Sequence, residues 1–94
     1  MLKPVDFFRA RVIVELGAGD GVITKHILAR MHPDCKLVSF EVQSGFCEHL
    51  RKHIHDPRFI LIEDSAENIV RHLNELHLYP ADYIISAIPF SLSQ

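Results

Sequence analysis

Three glycines fall within five residues in Glu15-Leu16-Gly17-Ala18-Gly19-Asp20-Gly21, immediately after the β-branched run Val12-Ile13-Val14. No other feature constrains the fold of this chain so strongly. A short apolar run closed by glycine reads as a buried strand. From Val22 onward Ile23, Ile27, Leu28 and Met31 recur at helical spacing, with Lys25, His26 and Arg30 elsewhere on the wheel. A glycine turn between strand and helix is the place where open α/β sheets bind ligands. Glycine reaches positive φ and has no Cβ to hold a ligand off the backbone. The amides that open the following helix favour an anionic group.

The alternation of strand and helix signals continues to the end of the chain. His32-Pro33-Asp34 stops the first helix, and Leu37-Val38-Ser39-Phe40-Glu41 is a second strand. Ser44 can cap a second helix in which Phe46, Leu50 and Ile54 share one face. Asp56-Pro57 turns into a third buried strand, Phe59-Ile60-Leu61-Ile62. Ile69, Val70, Leu73 and Leu76 mark a third helix that ends before Tyr79-Pro80, and Tyr83-Ile84-Ile85-Ser86-Ala87 is a fourth strand stopped by Pro89. Right-handed crossovers then predict an α/β Rossmann-like fold, four parallel strands in the order 3-2-1-4 with flanking helices. Its 94 residues are expected to make a single, partial domain (1–94).

Composition narrows the function. Hydrophobic residues at 48% and charged residues at 23% exclude a disordered tail. Ten Lys+Arg against twelve Asp+Glu leave a net charge of -2, which argues against nucleic acid as a partner. No apolar run approaches the ~18 residues of a membrane span. The opening Met1 to Arg9 lacks the apolar centre and cleavage site of a secretory signal. Cys35 and Cys47 have no CxxC spacing and read as reduced packing thiols of a cytoplasmic protein. No metal site is expected, although His49 and His53 are four apart and His55 lies just beyond. His26, His32, His72 and His77 read as surface or helix-end residues, and Arg51, Lys52 and Arg58 as charges on solvated faces.

The loop chemistry selects among ligands. A dinucleotide GxGxxG fingerprint needs its third glycine at Val22, whereas it falls at Gly21, and Asp20 would repel a pyrophosphate. No Gly-Lys-Ser/Thr follows, so a P-loop is excluded. The run resembles instead the ExGxGxG signature of S-adenosylmethionine-dependent class I methyltransferases, whose cofactor has no phosphate and carries a zwitterionic amino-acid tail. Glu41, twenty positions beyond Gly21, can accept hydrogen bonds from both ribose hydroxyls. Asp64-Ser65-Ala66 after the third strand resembles the family's adenine-binding turn.

The resemblance covers about Arg11 to Ile88, the N-terminal half of the family's domain, and implies S-adenosylmethionine as cofactor. Gly17, Gly19 and Gly21 would hold its amino-acid tail, with Ala18 in the same loop. Glu15 and Asp20 would serve its ammonium region, Glu41 the ribose with Val42 beside it, and Asp64, Ser65 and Ala66 the adenine. Ser86-Ala87-Ile88-Pro89-Phe90 stands where amino methyltransferases of the family carry Asn-Pro-Pro-Tyr or Asn-Leu-Pro-Tyr, so Ser86, Pro89 and Phe90 would face the methyl group and its acceptor.

Two subfamilies are similar to this chain: ribosomal RNA adenine dimethyltransferases and bacterial phospholipid N-methyltransferases. Ser86 and Phe90 depart from the Asn and Tyr of the first, and the segment resembles better the Ser-Gly-Leu/Ile-Pro type of the second. The expected activity is therefore N-methylation of a small-molecule or lipid amine, with a phosphatidylethanolamine-like acceptor. The alternatives are a cofactor-binding half-domain without catalysis, the RNA adenine enzyme and an NAD module. Phe7-Phe8 near Lys3, Arg9 and Arg11 suggests peripheral membrane contact. A fourth strand left at an apolar edge predicts a two-fold homodimer through that strand.

Overall fold

In the computed structural model, which describes residues 8–86, the expected alternation of elements is present. Strand β1 (Val12–Leu16) leads through the glycine loop to helix α1 (Val22–Arg30). Strand β2 (Lys36–Phe40), helix α2 (Ser44–His53) and strand β3 (Phe59–Ile62) follow. A 3-10 turn (Ala66–Asn68) opens helix α3 (Ile69–Glu75), and strand β4 (Tyr83–Ser86) ends the described chain. All strand pairs are parallel, and the order is β3-β2-β1-β4.

Alternation along the strands divides the apolar residues between two faces. Ile13 and Leu37 pack with Ile27, Leu28 and Met31 of α1 and its end, and Ile54 after α2 joins them. Val14, Val38 and Phe40 pack with Leu73 of α3 on the other face. The central β1 is buried along Val12–Glu15, as a strand covered by neighbours and helices must be. Strand β3 lies at one side of the sheet and is only half-buried, where full burial was expected. On β4, Ile84 is 58% exposed, and among the described residues β4 pairs with β1 alone.

Helical spacing named the right helices but not always the right face. On α1 Thr24 is buried together with Ile27 and Leu28, while Ile23 is 43% exposed. On α2, Cys47 and Leu50 are buried and Phe46 faces outward. Gln43 takes the N-cap position with no side-chain cap bond, and Ser44 is the first helical residue. Val70 and Leu76 of the third helical stretch are exposed. Arg58 is not on a solvated face. Its guanidinium donates to Leu28 O (2.9 Å) and Met31 O (3.1 Å), closing the C-terminal end of α1, and to Asp56 Oδ2 (2.7 Å). Arg58 in turn holds the Asp56 carboxyl below its usual range.

Candidate functional site

The strand register sets the site. Leu16 is level with Phe40 and with Ser86, and Phe40 is level with Ile62. All four strands therefore end on one line, and the segments that follow β1, β2 and β3 emerge together. Between them lies a cavity of about 690 Å³, within the range of small-molecule sites. Residues 16–20, 40–43 and 64–66 line it, with Ile23 of α1 and Phe46 of α2 at its sides.

Loop and strand end are tied together by one carboxylate. Glu41 is 6% exposed; its Oε1 accepts the Gly19 amide at 2.8 Å and its Oε2 the Gln43 amide at 3.0 Å. Gly17 and Ala18 donate their amides to Phe40 O at 2.9 and 3.3 Å, which pins the loop against β2. Gly19 has φ 56°, a conformation that suits glycine, and a Cβ there would meet nothing within 4 Å. Asp20 Oδ1 accepts the Val22 amide at 3.2 Å. It thus places negative charge on a first-turn amide of α1, where a phosphate would otherwise sit.

Two residues expected to hold the cofactor stand outside the cavity lining. Gly21, at φ 90°, faces the neighbouring helix: a Cβ would come within 2.9 Å of Leu50 Cδ2 and 3.2 Å of Ile54 Cδ1. Its lack of a side chain lets α1 begin close against α2. Glu15 is fully buried beneath the loop, with Oε1 accepting Thr24 Oγ1–H and Ser39 Oγ–H, each at 2.7 Å. Its Oε2 has no hydrogen-bond partner, and burial pushes its carboxyl above the usual range against the pull of those hydroxyls.

Asp64, Ser65 and Ala66 line the cavity as the third strand end. The Asp64 carboxylate accepts the Ser65 amide (2.7 Å), Asn68 Nδ2 (3.1 and 3.2 Å) and His72 Nε2 (2.7 Å). His72, first read as a surface residue, is 19% exposed in its side chain. It stands edge-on to Phe40, with ring centroids 5.7 Å apart. Ser86 lies at the end of β4 beside Leu16, outside the cavity lining, and Pro89 and Phe90 lie outside the described residues. Sequence reasoning placed Ile23 and Phe46 in the core and passed over Gln43. Their only signal was adjacency, to the glycine loop for Ile23 and to Glu41 for Gln43 and Phe46.

Cys35 and Cys47 are buried free thiols whose pKa values burial raises. Among the described residues no group of three or more His, Cys, Asp or Glu could hold a metal ion, and no helix is long and apolar enough to cross a membrane.

No protein-family profile matches the chain. It is 34% identical over 89 residues to an ornithine lipid N-methyltransferase of Singulisphaera acidiphila, an alignment that covers 94% of this chain and 46% of that protein. The likeness supports an S-adenosylmethionine-dependent methyltransferase, and the four parallel strands in the order 3-2-1-4 are consistent with a Rossmann-like methyltransferase half-domain. The half-domain is also similar to a ribosomal RNA small subunit methyltransferase A of Mycoplasmopsis synoviae, at 28% identity over 81 residues, 86% of this chain and 29% of that protein. It therefore spans about half the length of the first relative and less than a third of the second.

Proposed function

We propose that the half-domain binds S-adenosylmethionine in the cavity at the strand ends and serves a methyltransferase that acts on a lipid amine. The observation that carries the cofactor reading is Glu41. A buried carboxylate at the end of β2 lines the cavity and faces the glycine loop, and such a group binds a vicinal diol through paired, charge-assisted hydrogen bonds. The donor set also fits a cofactor without phosphate, because Asp20 already places a carboxylate on an α1 amide. Gly17 and Gly19 have no Cβ to keep the amino-acid tail off the loop, and Val42, 64% exposed, gives an apolar face for a base next to Asp64 and Ala66.

When bound, S-adenosylmethionine supplies an electrophilic methyl group on a sulfonium. The chain's own residues bind and orient it: Glu41 the sugar, residues 64–66 the base, and the loop with Asp20 the zwitterionic end. The lipid amine acceptor is supported by the likeness to the ornithine lipid N-methyltransferase of Singulisphaera and by the Ser86-Ala87-Ile88-Pro89 run. A lipid acceptor would bring the protein to a membrane surface from the cytoplasm.

Calorimetric titration with S-adenosylmethionine tests the cofactor step. Saturable binding at micromolar concentration, lost in Glu41→Ala, is expected; no binding by folded protein would refute it. Transfer of labelled methyl to vesicles containing an amine lipid, compared with an RNA substrate, tests the acceptor. Binding without transfer to either would make the chain a cofactor-binding half-domain only.

A further inference from the structure

Asp64 owes its position in the cavity wall to a residue on another element. Among its contacts, the Ser65 amide is local and belongs to the turn itself. Asn68 shares one amide nitrogen between both carboxylate oxygens at 3.1 and 3.2 Å, a longer and divided bond. Arg71 approaches Oδ2 only to 3.5 Å from a half-exposed side chain, where solvent screens most of the attraction. His72 Nε2 reaches the same oxygen at 2.7 Å from a largely buried ring. A short bond from a fixed donor to an ionised acceptor is the strongest of these.

The ring itself is held. Its edge meets Phe40, which is buried and lines the cavity, and its Nδ1 lies 3.9 Å from Glu75 Oε1. The imidazole therefore stands between two carboxylates, and it can donate to Asp64 only with a proton on Nε2. The same bond favours the ionised, accepting form of Asp64 and holds its carboxyl below its ordinary range.

We infer that His72 is a positioning residue for the base of the bound cofactor: by clamping Asp64 it selects a purine that carries an exocyclic amine over one that does not. This rests on the cofactor reading above. Asp64 accepts the amine N–H, and the His72 bond fixes where that acceptor stands.

The test compares S-adenosylhomocysteine with its purine-riboside counterpart, in which hydrogen replaces the amine. Wild-type protein should bind the amine-bearing ligand roughly tenfold more tightly. His72→Phe keeps an aromatic ring against Phe40 but has no donor; it should lose most of that preference while binding the deaminated ligand within about twofold of wild type. His72→Gln, whose amide can donate from a similar distance, should restore the preference. Equal weakening toward both ligands, or an unchanged preference in His72→Phe, would overturn the inference. A nitrogen-15 spectrum of the wild-type His72 ring gives a check that needs no variant: the proton must be on Nε2, and a proton on Nδ1 alone refutes the clamp. Failure of wild-type protein to bind either ligand would instead remove the cofactor reading, and this role with it.

Discussion

The Gly19 amide donates to Glu41 Oε1 across 2.8 Å, joining residues that are 22 positions apart in the chain. The residue proposed to hold the cofactor's sugar is thus also the residue that holds the glycine loop. Glu41→Ala should act twice. It leaves the Gly19 and Gln43 amides without their acceptor, at about 1–3 kcal/mol of stability, and it should weaken S-adenosylmethionine binding at least about tenfold. Thermal melts and calorimetry on the same sample separate the two losses.

Gly19 and Gly21 should fail in different ways when replaced by alanine. Both have positive φ, which costs about 1–2 kcal/mol for a residue with a Cβ. At Gly19 the new methyl meets no protein atom and lies on the cavity side, so the main effect expected is on ligand affinity. At Gly21 it would press on Leu50 and Ile54, adding roughly 1–3 kcal/mol of overpacking. Gly21→Ala should therefore have the lower melting temperature of the two. A lower one for Gly19→Ala would contradict this division.

Glu15 makes stability depend on pH in an unusual direction for a carboxylate. Burial raises its folded pKa, so the native state binds the proton more tightly than the unfolded chain does. Its contribution is fully present below the unfolded value, about 4.3, and is lost as pH rises through the folded value. Glu15→Gln cannot ionise and escapes this loss. Its melting temperature relative to wild type should rise from pH 4 towards neutrality, and a difference that stays flat would mean that Glu15 ionises normally.

The Asp56–Arg58 pair carries the opposite sign. Asp56 is depressed by Arg58, so its stabilisation is present above the unfolded value near 3.9 and disappears as pH falls through the lower folded value. Arg58→Met keeps the side chain's length but loses the bonds to Asp56, Leu28 O and Met31 O. At neutral pH it should cost about 1–3 kcal/mol, read by denaturant unfolding. Part of that difference should vanish under acid, leaving the share due to the two carbonyls.

The fold was legible because its signals are local: apolar runs of strand length, helical periods between them, and glycine or proline where each element ends. The places of Glu41 and Asp64 in the cavity lining were legible because they stand one and two positions beyond a strand. What the sequence did not disclose depends on which way a helix is turned. Ile23 and Thr24 are neighbours, and helical spacing alone favours burying the isoleucine; in the structure the threonine is buried because its hydroxyl meets Glu15. Phe46 follows the same logic on α2. Arg58 and His72 act through partners 27 to 30 and eight positions away, and no composition or period marks such pairs.

The common level of Leu16, Phe40, Ile62 and Ser86 has a further consequence, for how this protein can vary. The turns at the opposite end of the strands, at residues 32–35 and 55–58, are remote from the strand ends that meet at the cavity. Residues inserted there would lengthen the molecule away from the cavity and leave the three segments that line it in place. A single residue added within β2 is another matter: it would exchange the two faces of the strand and carry Glu41 out of reach of Gly19. Binding here should therefore tolerate length changes at one end of the strands and almost none inside them.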